Sequence, residues 1–390
     1  MICRALLVLC FHFTISDPSY SQKLTCYDRE IIPLDINSLS EEIRYCQFGN
    51  IFYYLSSQDL SITNRQIKIN KLDLSKKLTT QICIQIPNDF SLDGLPEFSI
   101  TEKALLIQDF NSLDIYLFKK DRNNAFKFSR KIKTPNNVKF FSMIQLSDDK
   151  FLLKDYYNHH PLDNPNAITL AIYNSKNSKF ESLIHPSGPC IAFSHLQSSY
   201  IATNQKYISL AEACGDKIQI YDTLLKPIKN ICLPILADSI ILCTDSIPFE
   251  TDLSKTNPKW LIENLKDYSN ERSRIESIVF IDAEHLFISI IPKHYYKNKR
   301  LGLIYSIKED KFSKPEIYGR IVQFEKSIEF PSFPSLKPFC TDQQLTILCS
   351  DDYFPDSLWN ANEFQINKNK YYEDHDPHFV LLRYKISINN

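Results

Sequence analysis

The chain has 390 residues, 43% of them hydrophobic, and its 45 basic and 46 acidic side chains nearly cancel. That is enough apolar material to bury a large core. No basic stripe carries interleaved aromatics, which argues against a nucleic-acid partner. With only 6 glycines, turns must rest on Asn and Asp, which tolerate left-handed backbone angles.

In chain order, the N-terminus reads as a secretory signal. Arg4 and the free amine form a short positive region, and Ala5 to Ile15 is an apolar stretch of 11 residues interrupted only by His12. Ser19-Tyr20-Ser21 then offers a small-x-small cleavage site, with a mature start near Gln22. Residues 1–21 are therefore expected to direct export to the periplasm, the cell surface or the medium, leaving 22–390 as the working domain. The apolar stretch is shorter than the roughly 20 residues a membrane-spanning helix needs, and no later transmembrane segment is expected. Lipidation at Cys10 would require a smaller residue than Leu9 before it. Loss of Cys3 and Cys10 leaves 9 of the 11 cysteines, an odd number. None shows metal-ligand spacing. Cys83, Cys232, Cys243 and Cys349 fall in apolar runs, where a thiol is expected to act as a small buried hydrophobe. In an oxidising compartment Cys26 with Cys46 and Cys340 with Cys349 are the first pairs to test.

From residue 47 onward one phrase recurs six times. A turn (Gly49-Asn50, Thr101-Glu102-Lys103, Asp148-Asp149, Asn204-Gln205, Ala283-Glu284, Asp342-Gln343-Gln344) is followed by a strand-length apolar run: IFYYLSS, ALLIQDF, FLLKDYY, YISLAEA, LFISIIP, LTILCSD. These runs are too short for helices and bounded by turn residues. A third strand then ends on an aromatic or Leu, at Leu72, Phe118, Tyr173, Tyr221, Tyr305 and Tyr384. A repeat of this size, with three or four short strands per unit, predicts an all-β fold, a six-bladed β-propeller. The last unit ends with its third strand, and Lys23–Leu34 is spare. That segment is expected to supply the missing fourth strand and close the ring, hiding two sheet edges.

The markers are 46, 55, 48, 84 and 79 residues apart, so the excess lies in insertions. Segment 244–274 holds the one short helical insertion expected, with Asn257 as cap and Pro258 at its first position. Trp260, Leu261, Leu265 and Tyr268 form its apolar stripe. The others are 156–166, 292–300 and 351–377. In a propeller, loops from second to third strand and loops between blades share one face, so all four segments are expected on that face. Elaborated loops on a rigid scaffold are where function concentrates.

Those units, with the phrases KIQIYDTLLKPIKN and VKFFSMIQLSDDKFLLK and the signal, resemble the six-bladed, TolB-like β-propeller proteins exported by Bacteroidetes. The resemblance covers essentially all of 22–390. It implies the fold and export, and it carries no functional residues. The chain departs from the pattern in its scarcity of Gly and its lack of a lipobox.

Aromatic pairs mark the loop face: Tyr156-Tyr157, Tyr295-Tyr296, Tyr353-Phe354 and Tyr371-Tyr372, with Trp359 between. Such rings stack on sugars or hold peptide side chains, though one of each pair can equally pack a loop onto its blade. Glu373, Asp374, His375, Asp376 and His378 form the densest set of potential metal ligands, and His159 and His160 could join them from a neighbouring loop. A run of this kind also suits a solvated acidic loop, so no cofactor is expected and a divalent metal stays the alternative. No nucleophile-base-acid set and no Gly-rich phosphate loop stands out. The reading is a binding module for a glycan, peptide or surface protein. The alternatives are a metal-assisted hydrolase or lyase at the channel mouth, or a structural part of an envelope assembly.

Overall fold

The computed structural model describes residues 23–34, 43–135, 140–155, 168–185, 200–204, 206–211, 217–233, 274–291, 300–313, 316–318, 339–341, 343–350 and 379–389. It is a six-bladed β-propeller of antiparallel sheets. Blade one runs through Ile43–Phe48, Ile51–Ser56, Gln66–Asp73 and Leu78–Gln85. Blade two runs through Glu97–Ile100, Ala104–Gln108, Ile115–Lys120 and Phe126–Ile132. Blade three comprises Phe140–Ser147, Lys150–Asp155, Leu170–Asn174 and Lys179–Ile184. Blade four comprises Tyr200–Thr203, Tyr207–Ala211, Lys217–Asp222 and Pro227–Cys232. In blade five Arg274–Phe280, His285–Ile291 and Arg300–Ser306 are followed by an outer strand in two pieces, Lys311–Phe312 and Glu316–Tyr318. Blade six takes Phe339–Thr341, Gln344–Ser350 and Phe379–Asn389 from the C-terminal end, and its fourth strand is Lys23–Pro33. The closing strand is thus the N-terminal segment, as the spare third-strand ending demands. The helix expected over 258–268 lies outside the described residues.

The six markers are equivalent in register. Each lies opposite the second residue of its blade's second strand: Leu72 opposite Phe52, Phe118 opposite Leu105, Tyr173 opposite Phe151, Tyr221 opposite Ile208, Tyr305 opposite Leu286 and Tyr384 opposite Leu345. The turns between third and fourth strands share one construction in blades one to four, and in blade five the Ser306 hydroxyl takes the first position, accepting from the Glu309 amide. A carboxylate or amide at the first position accepts hydrogen bonds from amides two to four residues on: Asp73 from Ser75 and Lys76, Asp121 from Asn123 and Ala125, Asn174 from Lys176, Asp222 from Leu224 and Lys226. The left-handed positions of these turns are Lys77, Asn124, Ser178, Leu225 and Asp310. Asn and Asp therefore act mostly as hydrogen-bonding starts of turns, and other side chains carry most of the left-handed strain, contrary to the sequence expectation.

That strain is removable. Gln343 has φ 61° and an exposed side chain, and its carbonyl accepts from the Ile386 amide at 2.9 Å, a bond a glycine retains. The left-handed conformation costs an L-residue about 1–2 kcal/mol, against about 0.5–1 kcal/mol of extra chain entropy lost by glycine. Gln343→Gly is expected to raise the urea midpoint, by up to about 1 kcal/mol of stability. A lowered midpoint would contradict this account of the turn.

The cores lie between blades. Leu55, Ile67 and Ile69 of blade one pack on Phe98, Leu105, Tyr116 and Phe118 of blade two. Leu106 and Leu117 meet Phe151 and Leu153 of blade three, Leu152 and Ile172 meet Ile208 and Leu210 of blade four, and Ile218 and Ile220 meet Ile278 and Ile288 of blade five. Ile32 and Leu34 of the closing strand join Phe52, Tyr54 and Leu381 in the core between blades six and one. Both faces of a middle strand are thus covered, which explains why the second-strand runs are continuously apolar.

The cysteines depart from expectation. Cys83 and Cys232 are exposed, because both sit on outermost strands. Cys46 and Cys340 are not in disulfides, so neither the Cys26–Cys46 nor the Cys340–Cys349 pair is made. The ladders show why. Cys26 lies opposite Ile386 in blade six and Cys46 opposite Tyr53 in blade one, while Cys340 faces Leu345 and Cys349 faces Val380. The Cys340 thiol instead contacts the Ile281 carbonyl of blade five at 3.4 Å.

Candidate functional site

The direction of the strands sorts the connections. First-to-second and third-to-fourth turns lie on one face, and second-to-third loops and blade-to-blade links on the other. The strand ends that anchor the four insertions all reach this second face: Asp155 and Leu170, Ile291 and Arg300, Ser350 and Phe379, and Cys232 and Arg274.

The opposite face is tied together by its short turns. The Thr101 hydroxyl donates to the Asp148 carbonyl at 3.3 Å, Lys103 pairs with Asp148 at 2.5 Å, and Asn204 donates to the Asp282 carbonyl at 3.2 Å. Asp282 also accepts from the Glu284 and His285 amides and lies 2.8 Å from His285 Nδ1. Burial pushes the Asp282 carboxyl up, but the His285 ring and these amides outweigh it and hold it below the usual carboxylate range. This is turn chemistry, with its donors consumed by the fold.

On the insertion-bearing face, charged side chains stand at strand ends of blades one, two and three. Arg44 and Glu97, on the first strands of blades one and two, form an ion pair at 2.5 Å. Gln108 bridges two blades: its carbonyl oxygen accepts from the Phe140 amide at 2.8 Å, and its amide nitrogen donates to the Leu113 carbonyl at 2.8 Å. Lys154 and Asp155, opposite Ser142 and Phe140, are 3% and 2% exposed, and the Lys154 ammonium donates to the Asp155 carbonyl at 3.0 Å. Buried charges are costly unless solvated by protein groups, so a Lys-Asp step here is a constrained feature. Asp155 stands where Asp109 stands in blade two, four residues after the marker's partner. Asp109 is spent on its own loop, accepting from the Asn111 and Ser112 amides, and on the link from blade one, accepting from the Ser91 amide. Asp59 plays a similar part in blade one, accepting from the Ser56 amide and hydroxyl and from Asn70. Lys154 and Asp155 instead form the root of segment 156–166.

Tyr156, Tyr157, Tyr295, Tyr296, Tyr353, Trp359, Tyr371 and Tyr372 all lie outside the described residues, as do His159, His160, Glu373, Asp374, His375, Asp376 and His378. What is placed is their attachment: the strand ends bring these segments to one face. Among the described residues, no group of three or more His, Cys, Asp or Glu side chains has the arrangement of a metal site. No helix among them is long and apolar enough to cross a membrane. Sequence reasoning missed Arg44, Glu97, Gln108, Lys154 and Asp155. A signal was present: ALLIQDF and FLLKDYY each break from three or four apolar residues into two adjacent polar ones at the strand's end.

No family model matches the chain, and no curated protein matches it. Solved structures do. A member of the DUF4221 family from Bacteroides vulgatus ATCC 8482 superposes with TM-score 0.50 at 13% identity, covering 95% of this chain and 99% of that one. A protein of Bacteroides fragilis NCTC 9343, provisionally described as exported, aligns with TM-score 0.48 at 11% identity over 93% and 96% of the two chains. At this identity the first likeness shows the fold, and the second is weaker still.

Proposed function

We propose that the chain is an exported binding protein, similar in design to TolB-like propellers, whose insertion-bearing face takes up a glycan, a peptide or another surface protein. One observation carries the reading. The strand ends that anchor segments 156–166, 244–274, 292–300 and 351–377 reach the same face as the strand ends that carry Arg44, Glu97, Lys154 and Asp155. The aromatic residues of those segments supply area for contact, and the charged groups beneath supply orientation. The apolar stretch Ala5–Ile15 supports export. The test is binding of the purified mature protein to glycan and peptide arrays. Tyr156→Ala, Tyr295→Ala and Trp359→Ala are each expected to weaken the captured ligand by about tenfold or more, as loss of an aromatic anchor does. Arrays without a hit, or a hit indifferent to all three changes, would refute the proposal.

A further inference from the structure

We propose a second binding surface, on the rim: the groove between the outer strands of blades two and three takes a linear anionic polysaccharide carrying sulfate or carboxylate groups. Lys119 and Lys127 lie directly opposite each other on the third and fourth strands of blade two. Like charges so placed destabilise a sheet. Alternate residues of a strand share a face, and Ile115 and Leu117 belong to the core against blade three. Lys119 therefore projects toward blade three, and so do Lys127 and Arg130, which pair with Lys119 and Leu117. Arg130 is near enough to Tyr173 of blade three for its charge to act on that phenol.

The other seams show what is missing here. Between blades one and two, Lys131 meets Asp89 and Asp114 at 3.1 Å each. Between four and five, Lys229 meets Asp310 at 2.6 Å, and between six and one, Lys77 meets Glu30 at 2.8 Å. Across the seam between two and three, the facing wall is Phe180 and Leu183, which lie opposite Tyr173 and Ala171 of the shared core. The nearby Glu181 is engaged with Lys150 at 2.8 Å and Asn174 at 2.6 Å. Among the described residues no carboxylate pairs with Lys119, Lys127 or Arg130. Three cations beside an apolar wall, in a chain of net charge −1, call for an external anion.

The shape selects its class. Lys119 is half-buried, one strand in from the rim, and out of reach of a flat bilayer. Among the described residues Phe180 of the facing wall is half-buried, and no exposed aromatic ring lines the groove for bases to stack on. A peptide added to the outer edge would follow the backbone of the fourth strand, whereas the charges run across two strands.

The probe is dextran sulfate, with neutral dextran, polyglutamate, oligo-deoxythymidine and phosphatidylglycerol vesicles alongside. Wild-type protein is expected to prefer dextran sulfate at low salt. The triple change Lys119→Gln, Lys127→Gln, Arg130→Gln is expected to weaken that binding by more than about tenfold and to flatten its salt dependence by about three counterions. Equal neutralisation at the exposed Lys217, Lys226 and Lys308 of blades four and five leaves binding in place. Lys127→Glu alone should lower binding while raising the thermal midpoint, which separates lost affinity from lost fold. Absence of dextran sulfate binding, equal losses in both triple variants, or preference for any other probe overturns the proposal. Neither outcome bears on the loop-face ligand, since the array variants touch different residues.

Discussion

Deletion of residues 23–34 is expected to abolish the native state of the entire ring, with the urea midpoint falling to near zero. The segment makes ten residue pairs with Phe379–Asn389, and Leu34 extends the ladder by donating to the Phe379 carbonyl at 2.8 Å. Ile32 and Leu34 are 5% and 2% exposed, each contributing about 1.5–3 kcal/mol of burial. The hydrogen bonds add on the order of 1 kcal/mol apiece. Together these approach the whole stability of a typical domain, about 5–15 kcal/mol. Arg383 loses its ion-pair partner too: it pairs with Glu30 at 3.0 Å, and its bond to the Leu74 carbonyl at 3.2 Å joins blade six to blade one. Supplying a synthetic 23–34 peptide in trans should restore cooperative unfolding. An unchanged midpoint in the truncated protein would show that the closing strand is dispensable.

The second large effect is expected at Phe118→Ala. The ring is fully buried in the core between blades one and two, beside Leu105 and Tyr116. Truncating such a ring costs about 3–5 kcal/mol, the transfer term plus the cavity. The neighbouring Phe128 gives the control: its ring centroid is 5.8 Å from that of Phe118, but it is 44% exposed on the outermost strand. Phe128→Ala should cost about 1 kcal/mol or less, in line with other surface changes. Equal losses at the two positions in chemical denaturation would contradict the division between inter-blade core and rim.

The propeller was legible because its physics is repetitive. Each blade needs an apolar second strand covered on both faces and a large residue at the marker register, so six copies of a weak signal add up. The closing strand was legible by subtraction, since Phe379–Asn389 lacked a fourth-strand partner in the C-terminal sequence. The turn chemistry was half legible. Asp73 and Asp222 are where composition suggests, but Lys77 and Leu225 hold the strained angles, and such a role leaves no mark on a residue's type. The thiols of Cys83 and Cys232 misled because an apolar run on an outermost strand still shows one face to water. The charged groups of the insertion-bearing face were hardest to see. Arg44 and Glu97 are 53 residues apart in sequence and meet only because neighbouring first strands converge. Lys119 and Lys127 look like ordinary solvated lysines until the register sets them face to face.

The closing pair also governs when the molecule can form. Glu30 and Arg383 are separated by 353 residues, so the bond that completes the ring joins the first and last of the described strands to be synthesised. Five sheets can assemble locally as they emerge, each from neighbouring segments, but the sixth waits for the C-terminal end. Contacts of such sequence separation are reached slowly. Until then the sixth sheet has two strand edges to offer other chains, and partly built rings of this kind aggregate. Folding of this protein is therefore timed by the arrival of Phe379–Asn389 rather than by the assembly of any one blade.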